Sequence, residues 1–269
     1  MLSHFSSRPA RPPSRSLFTA VLLLMTTLLT LAACGASGVG STAGQSSATA
    51  TSPSAASTTT APAVRYVALG ASDAVGVGAT DPNRTAYVPI IISRLPKGSA
   101  ALNLGISGET LHQALDDEVT QAVAANPTLI TVWLVGNDFK NCVPLAQYGA
   151  DLNTLLTKLQ QQTHAKIFVA NAPDFSALPA VQAQAASGSF CGAAGSLASV
   201  RALAQQWNQV INASVAAHHD TLVDLFNTDL ASHPGYVSND GFHPSDQGYL
   251  ALANLFWSAI TAQGAAQAA

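Results

Sequence analysis

The residue types in this chain that point to chemistry are a serine, a histidine and an aspartate. Asp240 and His243 lie three residues apart in Asp-Gly-Phe-His-Pro, and Ser72 lies far upstream in Gly-Ala-Ser-Asp. A hydroxyl is a weak nucleophile until a neighbouring base takes its proton, and histidine suits that role near neutral pH. The histidine needs a carboxylate on its other ring nitrogen to fix its tautomer and stabilise the imidazolium. These residues predict acyl transfer with Ser72 as nucleophile, His243 as base and Asp240 as its partner.

The oxyanion formed in such a reaction needs preorganised hydrogen-bond donors. Gly108 lies in Gly-Ile-Ser-Gly-Glu and Asn137 lies in Gly-Asn-Asp. A glycine lets the backbone approach a ligand closely because it has no side chain. The candidate oxyanion hole therefore consists of the backbone N–H groups of Ser72 and Gly108 and the side-chain amide of Asn137.

Short apolar runs alternate with segments of helical periodicity from Val64 onward. Strands are predicted at residues 65–69, 101–104, 129–135, 167–169 and 222–225. Helices are predicted over residues 85–95, from near 107, and over 145–159, 200–210 and 249–260, the last with Ser245 as N-cap. Repeated alternation of strand and helix predicts an α/β fold, a doubly wound parallel sheet of five strands with helices on both faces.

The candidate residues follow the ends of the predicted strands. Ser72 follows the first strand, Gly108 the second and Asn137 the third, while Asp240 and His243 come after the fifth. Ligands of doubly wound sheets bind outside the carboxyl ends of the strands. We therefore expect the five residues to converge on one rim of the sheet.

These clusters resemble, in order and spacing, the signature blocks of the SGNH hydrolases, which are GDSL-like esterases and lipases. Ser72, Gly108, Asn137 and His243 fall on the four residues that give the family its name. Asp240 falls on the aspartate of its Asp-x-x-His block.

The resemblance spans residues 65 to about 262 and implies a hydrolase domain at residues 64–264, followed by a flexible tail at 265–269. It implies a flavodoxin-like three-layer sandwich and hydrolysis of a carboxylic ester through an acyl-enzyme. It also implies that no metal and no cofactor is needed. The expected partner is a small-molecule or glycan ester as substrate, and we expect a monomer.

One block departs from the pattern of the family. Where the family usually has Gly-Asp-Ser-Leu, this chain has Gly70, Ala71, Ser72 and Asp73. The missing aspartate usually braces the loop and takes no part in proton transfer. We therefore expect activity to survive the change to Ala71, with an altered loop geometry.

The first 33 residues resemble the signal peptide of a bacterial lipoprotein. Three arginines precede an uncharged stretch at residues 17–31, and Leu-Ala-Ala-Cys follows at 31–34. That stretch is short for a membrane-spanning helix. The resemblance implies that the Cys34 thiol takes a diacylglycerol and becomes the new N-terminus. The alternative is an ordinary secretory signal followed by a chance cysteine.

The residues after Cys34 are typical of a tether. Residues 35–63 carry no charge and consist almost wholly of Gly, Ala, Ser, Thr and Pro, a composition that cannot bury a core. The sequence therefore predicts an extracytoplasmic protein held on the outer face of the bacterial membrane by the lipid on Cys34. The formal net charge of −3 argues against a nucleic-acid partner, which would require a basic face.

Cys142 and Cys191 remain if Cys34 is lipidated. An exported protein meets an oxidising compartment, so we expect the two to form a disulfide that joins two loops. The alternative is a pair of free buried thiols, because sequence alone does not give the distance between them.

Two other functional interpretations compete with the serine esterase. The α/β-hydrolase fold requires Gly-x-Ser-x-Gly, but this chain has Ala74 two residues after the serine, which excludes it. A surface lipoprotein that binds a ligand in the same cleft without catalysis is the other alternative. In the esterase, we expect residues 177–195 to line the acyl or alcohol pocket.

Overall fold

The computed structural model describes residues 64–191, 193–194 and 196–266. The predicted signal peptide, Cys34 and the tether lie outside these residues. The strands are β1 (Arg65–Gly70), β2 (Ala100–Asn103), β3 (Leu129–Trp133), β4 (Lys166–Ala170), β5 (Ser189–Phe190), β6 (Ala193–Ala194) and β7 (Thr221–Val223). The helices are α1 (Ser72–Val75), α2 (Tyr87–Arg94), α3 (Leu111–Asp117), α4 (Val119–Ala124), α5 (Gly136–Lys140), α6 (Leu145–Gln162), α7 (Pro179–Ala186), α8 (Leu197–Ala217) and α9 (Asp246–Ala262), with a 3₁₀ turn at Phe175–Ala177.

Five strands form one parallel sheet in the order β2-β1-β3-β4-β7. In the register of its centre, Val67 lies opposite Ile130, and Ile130 lies opposite Ile167. These central strands are apolar on both faces because helices cover both sides of the sheet. The predicted five-stranded parallel α/β fold is confirmed.

The helices form two groups that cover the sheet. Helix α2 contacts α9, whereas α6 contacts α3, α4 and α8. Right-handed crossovers between parallel strands place such groups on opposite faces. All the strands then run in one direction, so the loops after β1, β2, β3 and β7 open on the same rim.

The element boundaries differ from the sequence predictions at specific points. Helix α3 begins at Leu111, four residues after the predicted start near Ser107, because Thr110 and Gln113 form a capping box that fixes its first turn. Strand β3 ends at Trp133, not at Val135, because the chain turns there into helix α5. The predicted cap of α9 is confirmed, since the Ser245 side chain accepts the Gly248 N–H at 3.2 Å.

The chain near Cys191 forms a small feature that the sequence did not predict. Strands β5 and β6 pair as an antiparallel hairpin, and Cys191 lies in its turn. A disulfide joins Cys191 to Cys142, which confirms the predicted pairing. The bridge fastens this hairpin to the end of helix α5.

Two observations concern the limits of the folded part. The chain continues past residue 264 in contact with the domain, since Ala265 is buried and its N–H donates to the Ile260 carbonyl at 2.9 Å. Within the described ranges, no helix combines the length and apolar character needed to cross a membrane.

Candidate active site

Ser72 is held at the junction of strand β1 and the short helix α1. The residue is 8% exposed, so its hydroxyl faces a restricted space beside the rim of the sheet. The Ala71 carbonyl accepts the N–H groups of Ala74 and Val75, which turns the chain sharply after the strand. This turn points the side chain of Ser72 away from the sheet and towards the loop after β7.

The structure brings the serine, histidine and aspartate together. His243 Nε2 lies 2.9 Å from Ser72 Oγ, although the two residues are 171 positions apart. His243 Nδ1 lies 2.5 Å from Asp240 Oδ2. An ionised carboxylate only accepts hydrogen bonds, so Nδ1 of the neutral ring carries the proton and Nε2 accepts from Ser72 Oγ.

Asp240 is held in place by several donors from its own loop. Its Oδ1 accepts the backbone N–H groups of Phe242 and His243 at 2.8 and 2.9 Å and the Ser238 hydroxyl at 2.9 Å. Partial burial acts to raise the pKa of Asp240, but the hydrogen bonds from His243, these N–H groups and Ser238 lower it to about 2. Asp240 therefore remains ionised throughout the neutral pH range.

The candidate oxyanion donors lie in loops that contact one another, since Asn137 bonds the residue after Gly108 and the Ile106 N–H donates to Gly70 in the serine loop. Gly108 has φ +87°, a backbone conformation that side chains disfavour, and open space lies where its Cβ would be. Asn137 is 6% exposed and donates one N–H of its amide to the Glu109 carbonyl at 2.9 Å, which leaves its second N–H free to point into the site. Among the described residues, the N–H groups of Ser72 and Gly108 donate to no protein acceptor.

The nucleophile loop and the oxyanion loop are fastened directly to each other. Asn103 Nδ2 donates to the Ala74 carbonyl at 2.7 Å, and the Ile106 N–H donates to the Gly70 carbonyl at 3.2 Å. Gly105 makes the close approach possible, because a Cβ there would lie 2.5 Å from the Ala74 Cβ. The spacing between the serine loop and the Gly108 loop is therefore fixed by one main-chain hydrogen bond, one bond from the Asn103 side chain and the close packing at Gly105.

Asp138 is a second acidic residue of the site region, and it has a structural role. Its carboxylate accepts the Leu111 N–H at 2.9 Å and so caps helix α3 from helix α5. Burial raises the pKa of Asp138 to about 6, although the hydrogen bond from Leu111 acts to lower it.

A small apolar cavity is lined by Asp73, Gly136 and Phe242, the chain neighbours of Ser72, Asn137 and His243, while the candidate site residues themselves are not in its lining. The volume of this cavity is about 30 Å³, which is room for roughly two water molecules. Most of its lining is apolar or aromatic: Trp133, Gly136, Pro173, Phe175, Leu178, Leu230, Ala231, Tyr236, Val237, Phe242 and Pro244. One acidic residue, Asp73, completes the lining; burial raises the pKa of Asp73 to about 6, although His243 acts to lower it.

The prediction that residues 177–195 line the acyl or alcohol pocket can be compared with this cavity. Of the described residues in the segment 177–195, Leu178 alone lines it. The larger contribution comes from Leu230, Ala231, Tyr236 and Val237, in the long connection between β7 and α9. That connection lacks a clear sequence signal, because its apolar residues have no helical or strand periodicity.

Sequence analysis also missed the buried acidic pair behind the site. Glu118 is completely buried and Glu109 is 4% exposed. Glu118 Oε2 accepts the Gly70 N–H at 2.9 Å, two residues before the serine. No local motif marks Glu118, which reaches the nucleophile loop only through the packing of the α3–α4 junction against β1.

Comparison with known proteins places this geometry in a family. No curated protein sequence matches the chain. The solved structure of TesA superposes with a TM-score of 0.58 at 20% identity, covering 74% of this chain and 98% of that one. The esterase EstA from Pseudoalteromonas sp. gives 0.57 at 17% identity, with coverage of 74% and 98%. Phospholipase A1 from Streptomyces albidoflavus gives 0.55 at 18%, with coverage of 73% and 99%.

At these identities the solved structures show a shared fold. The family assignment comes from the sequence itself, because residues 68–251 match the GDSL-like Lipase/Acylhydrolase family. That match covers more than half of the chain and contains every candidate site residue from Ser72 to His243. The chain therefore belongs to the GDSL-like Lipase/Acylhydrolase family.

Proposed function

We propose that this protein is a serine esterase that hydrolyses carboxylic esters through an acyl-enzyme. One observation carries the proposal: the His243 ring lies between Ser72 Oγ at 2.9 Å and Asp240 Oδ2 at 2.5 Å. These distances allow one imidazole to accept the serine proton while the aspartate holds its other nitrogen.

In the acylation step, Ser72 Oγ attacks the carbonyl carbon of the ester as His243 Nε2 takes the hydroxyl proton. The imidazolium that forms is stabilised by ionised Asp240. The carbonyl oxygen becomes an oxyanion, which accepts hydrogen bonds from the N–H groups of Ser72 and Gly108 and from the free N–H of Asn137.

The oxyanion then collapses and the alcohol leaves with the proton from His243. Deacylation reverses these roles. His243 removes a proton from a water molecule, which attacks the acyl carbon, and then returns the proton to Ser72 Oγ. The acid is released and the free serine is restored.

We further propose that the acyl group is short. The cavity lined by Asp73, Gly136 and Phe242, the chain neighbours of Ser72, Asn137 and His243, has room for roughly two water molecules. The aromatic rings of Phe175 and Phe242 stack 6.4 Å apart in its wall, which limits its extension. An acetyl group fits such a space, whereas a long acyl chain would have to displace these rings.

The test compares hydrolysis of p-nitrophenyl acetate and p-nitrophenyl octanoate by the wild type and by Ser72→Ala. We expect turnover of the acetate by the wild type, a much lower kcat/KM for the octanoate, and no turnover of either by Ser72→Ala. Ser93→Ala is the matched control, because Ser93 is exposed on helix α2 and bonds only the Ile90 carbonyl. Equal rates for wild type and Ser72→Ala would exclude Ser72 as the nucleophile.

A fluorophosphonate probe separates the esterase from a ligand-binding protein with the same cleft. The probe should label folded wild type at Ser72 and leave Ser72→Ala unlabelled, because the reaction requires an activated serine. Folded wild type that binds esters without labelling or turnover would favour the non-catalytic alternative.

A further inference from the structure

Two buried carboxyl groups lie directly behind the site, where the proposed mechanism does not use them. Glu118 lies at the junction of helices α3 and α4, and its N–H continues the helical pattern by donating to the Ala114 carbonyl at 3.0 Å. Glu109 follows Gly108 in the oxyanion loop. Both side chains are shielded from water, where an ionised carboxylate is costly unless it is paired.

The hydrogen bonds around Glu118 and Glu109 indicate that the pair holds a proton. Glu118 Oε2 accepts the Gly70 N–H, and the two carboxyl side chains are hydrogen-bonded to each other. Apart from this contact, no N–H group or hydroxyl among the described residues donates to Glu118 Oε1 or to either carboxylate oxygen of Glu109. The exposed Asp117 carboxyl is also hydrogen-bonded to Glu109. Two ionised carboxylates cannot form a hydrogen bond, so the contact between the buried Glu118 and Glu109 side chains requires a proton.

We propose that Glu118 and Glu109 share one proton and act as a brace that positions the nucleophile loop against the oxyanion loop. In this arrangement Glu118 accepts from Gly70 through Oε2 and donates through Oε1 to Glu109. The Glu109 main-chain carbonyl in turn accepts the Asn137 amide at 2.9 Å. One chain of hydrogen bonds thus connects the segments that carry Ser72, Gly108 and Asn137.

The brace rests on the proposed esterase function and explains how the site tolerates Ala71. Ala71 is buried and offers no polar group of its own to the loop. Glu118 brings a carboxyl group to the same turn from another element, 48 residues along the chain from Gly70. Glu118 and Glu109 are positioning residues in this account, because neither touches the reacting atoms.

The electrostatic surroundings favour the shared proton. Burial raises the pKa of Glu118 well above its ordinary value, and the hydrogen bond with Glu109 and the charges of Glu109 and Asp117 raise it further. The bond from the Gly70 N–H acts in the opposite direction but is weaker. Tyr87 of helix α2 also faces Glu118 and remains neutral, because burial raises its own pKa.

The shared proton makes stability depend on pH in a defined direction. A carboxyl group with a raised folded pKa stabilises the fold fully below its unfolded pKa, and this contribution is lost as the pH rises towards the folded value. A glutamine at position 118 can accept from Gly70 and donate to Glu109 without any titrating proton. The Tm of Glu118→Gln minus the Tm of the wild type should therefore increase by roughly 10 °C between pH 5 and pH 9.

The experiment measures Tm against pH and kcat against KM for Glu118→Gln, Glu118→Met and Asp116→Asn. We expect Glu118→Gln to keep kcat within about threefold, because both hydrogen bonds are retained. Its Tm should fall less than that of the wild type between pH 7 and pH 9, a range in which Asp73 and Asp138 are already ionised and no longer contribute to the slope. Glu118→Met keeps the volume but loses the bonds, so its kcat should fall at least about tenfold with KM changed less than twofold. Asp116→Asn removes an exposed negative charge of the same helix, and its kcat and pH slope should match those of the wild type.

The possible results separate the brace from its alternatives. Folded Glu118→Met with wild-type kcat, or a wild-type pH slope in Glu118→Gln, would overturn the proposal. If Glu118→Met does not fold, Glu109→Gln replaces it, because it also supplies an N–H in place of the shared proton and should reduce the fall of Tm between pH 7 and pH 9. If wild type shows neither turnover nor labelling of Ser72, the esterase proposal fails, while the Tm measurement still decides whether a proton is shared.

Discussion

Asn137 joins two tasks in one side-chain amide. One N–H donates to the Glu109 carbonyl at 2.9 Å, and in the proposed mechanism the other donates to the oxyanion. Removal of one such donor typically lowers kcat by a factor of about 10² to 10³. We therefore expect Asn137→Ala to lower kcat at least about a hundredfold, with a much smaller change in KM, in steady-state kinetics with p-nitrophenyl acetate.

Asn141 provides the matched control for that measurement. It is an exposed asparagine just after helix α5, four residues from Asn137. Asn141→Ala should keep the wild-type kcat. A comparable loss in both variants would indicate a disturbed helix, and an unchanged kcat in Asn137→Ala would remove the amide from the oxyanion hole.

At the scale of single residues, candidate functional residues can be predicted from the sequence where they lie in one short motif or directly follow a recognisable strand. Asp240 and His243 share one turn, and Ser72 follows a recognisable strand, so all three could be identified before their distances were known. Glu118 could not, because its role depends on which loop the α3–α4 junction touches. A buried acid in a helical segment has the same sequence pattern whether or not it braces an active site.

At the scale of elements, a disulfide joins the chain after helix α5 to the β5–β6 hairpin. Cys142 follows helix α5, which carries Asn137, and Cys191 lies in the turn of the β5–β6 hairpin. The bridge closes a loop of sequence separation 49, for which the loss of unfolded-chain entropy corresponds to about 4 kcal/mol. The double variant Cys142→Ala/Cys191→Ala should therefore melt roughly 8–16 °C below the wild type.

Thermal unfolding followed by circular dichroism checks this expectation, with wild type in excess reductant as the control. The reduced wild type should melt close to the double variant, whereas the oxidised wild type should melt higher. Equal melting temperatures for all three would mean that the bridge contributes no stability. The main sheet lies outside the closed loop apart from β4, so the variant is expected to remain folded and active at low temperature.

At the scale of elements, the sequence predicts the long and periodic parts of the fold. The five strands of the main sheet and helices α6, α8 and α9 have apolar patterns long enough to distinguish them from loops. Helices α1, α4 and α5 span four to six residues, and β5 and β6 span two each, so none contains two full periods. Their positions depend on tertiary packing, which local sequence does not encode.

At the scale of the whole molecule, the question is what the N-terminal segment does for the location of the protein. We propose that it attaches the esterase to the outer face of a bacterial membrane through a lipid on Cys34. The support is the Leu-Ala-Ala-Cys segment after an uncharged stretch, together with a disulfide that suits an oxidising compartment. As a flexible coil, residues 35–63 would span roughly 30 Å, which would hold the domain clear of the headgroups.

Detergent partitioning of the full chain and of Cys34→Ala, expressed in a bacterium that lipidates its own lipoproteins, tests this proposal. Two or more acyl chains give stable membrane attachment, so the wild type should enter the detergent phase and take up labelled fatty acid. Cys34→Ala should take up no label, while Cys142→Ala/Cys191→Ala should be labelled like the wild type. Wild type that remains in the aqueous phase without label would instead support an ordinary secretory signal, because the anchor depends on this one thiol.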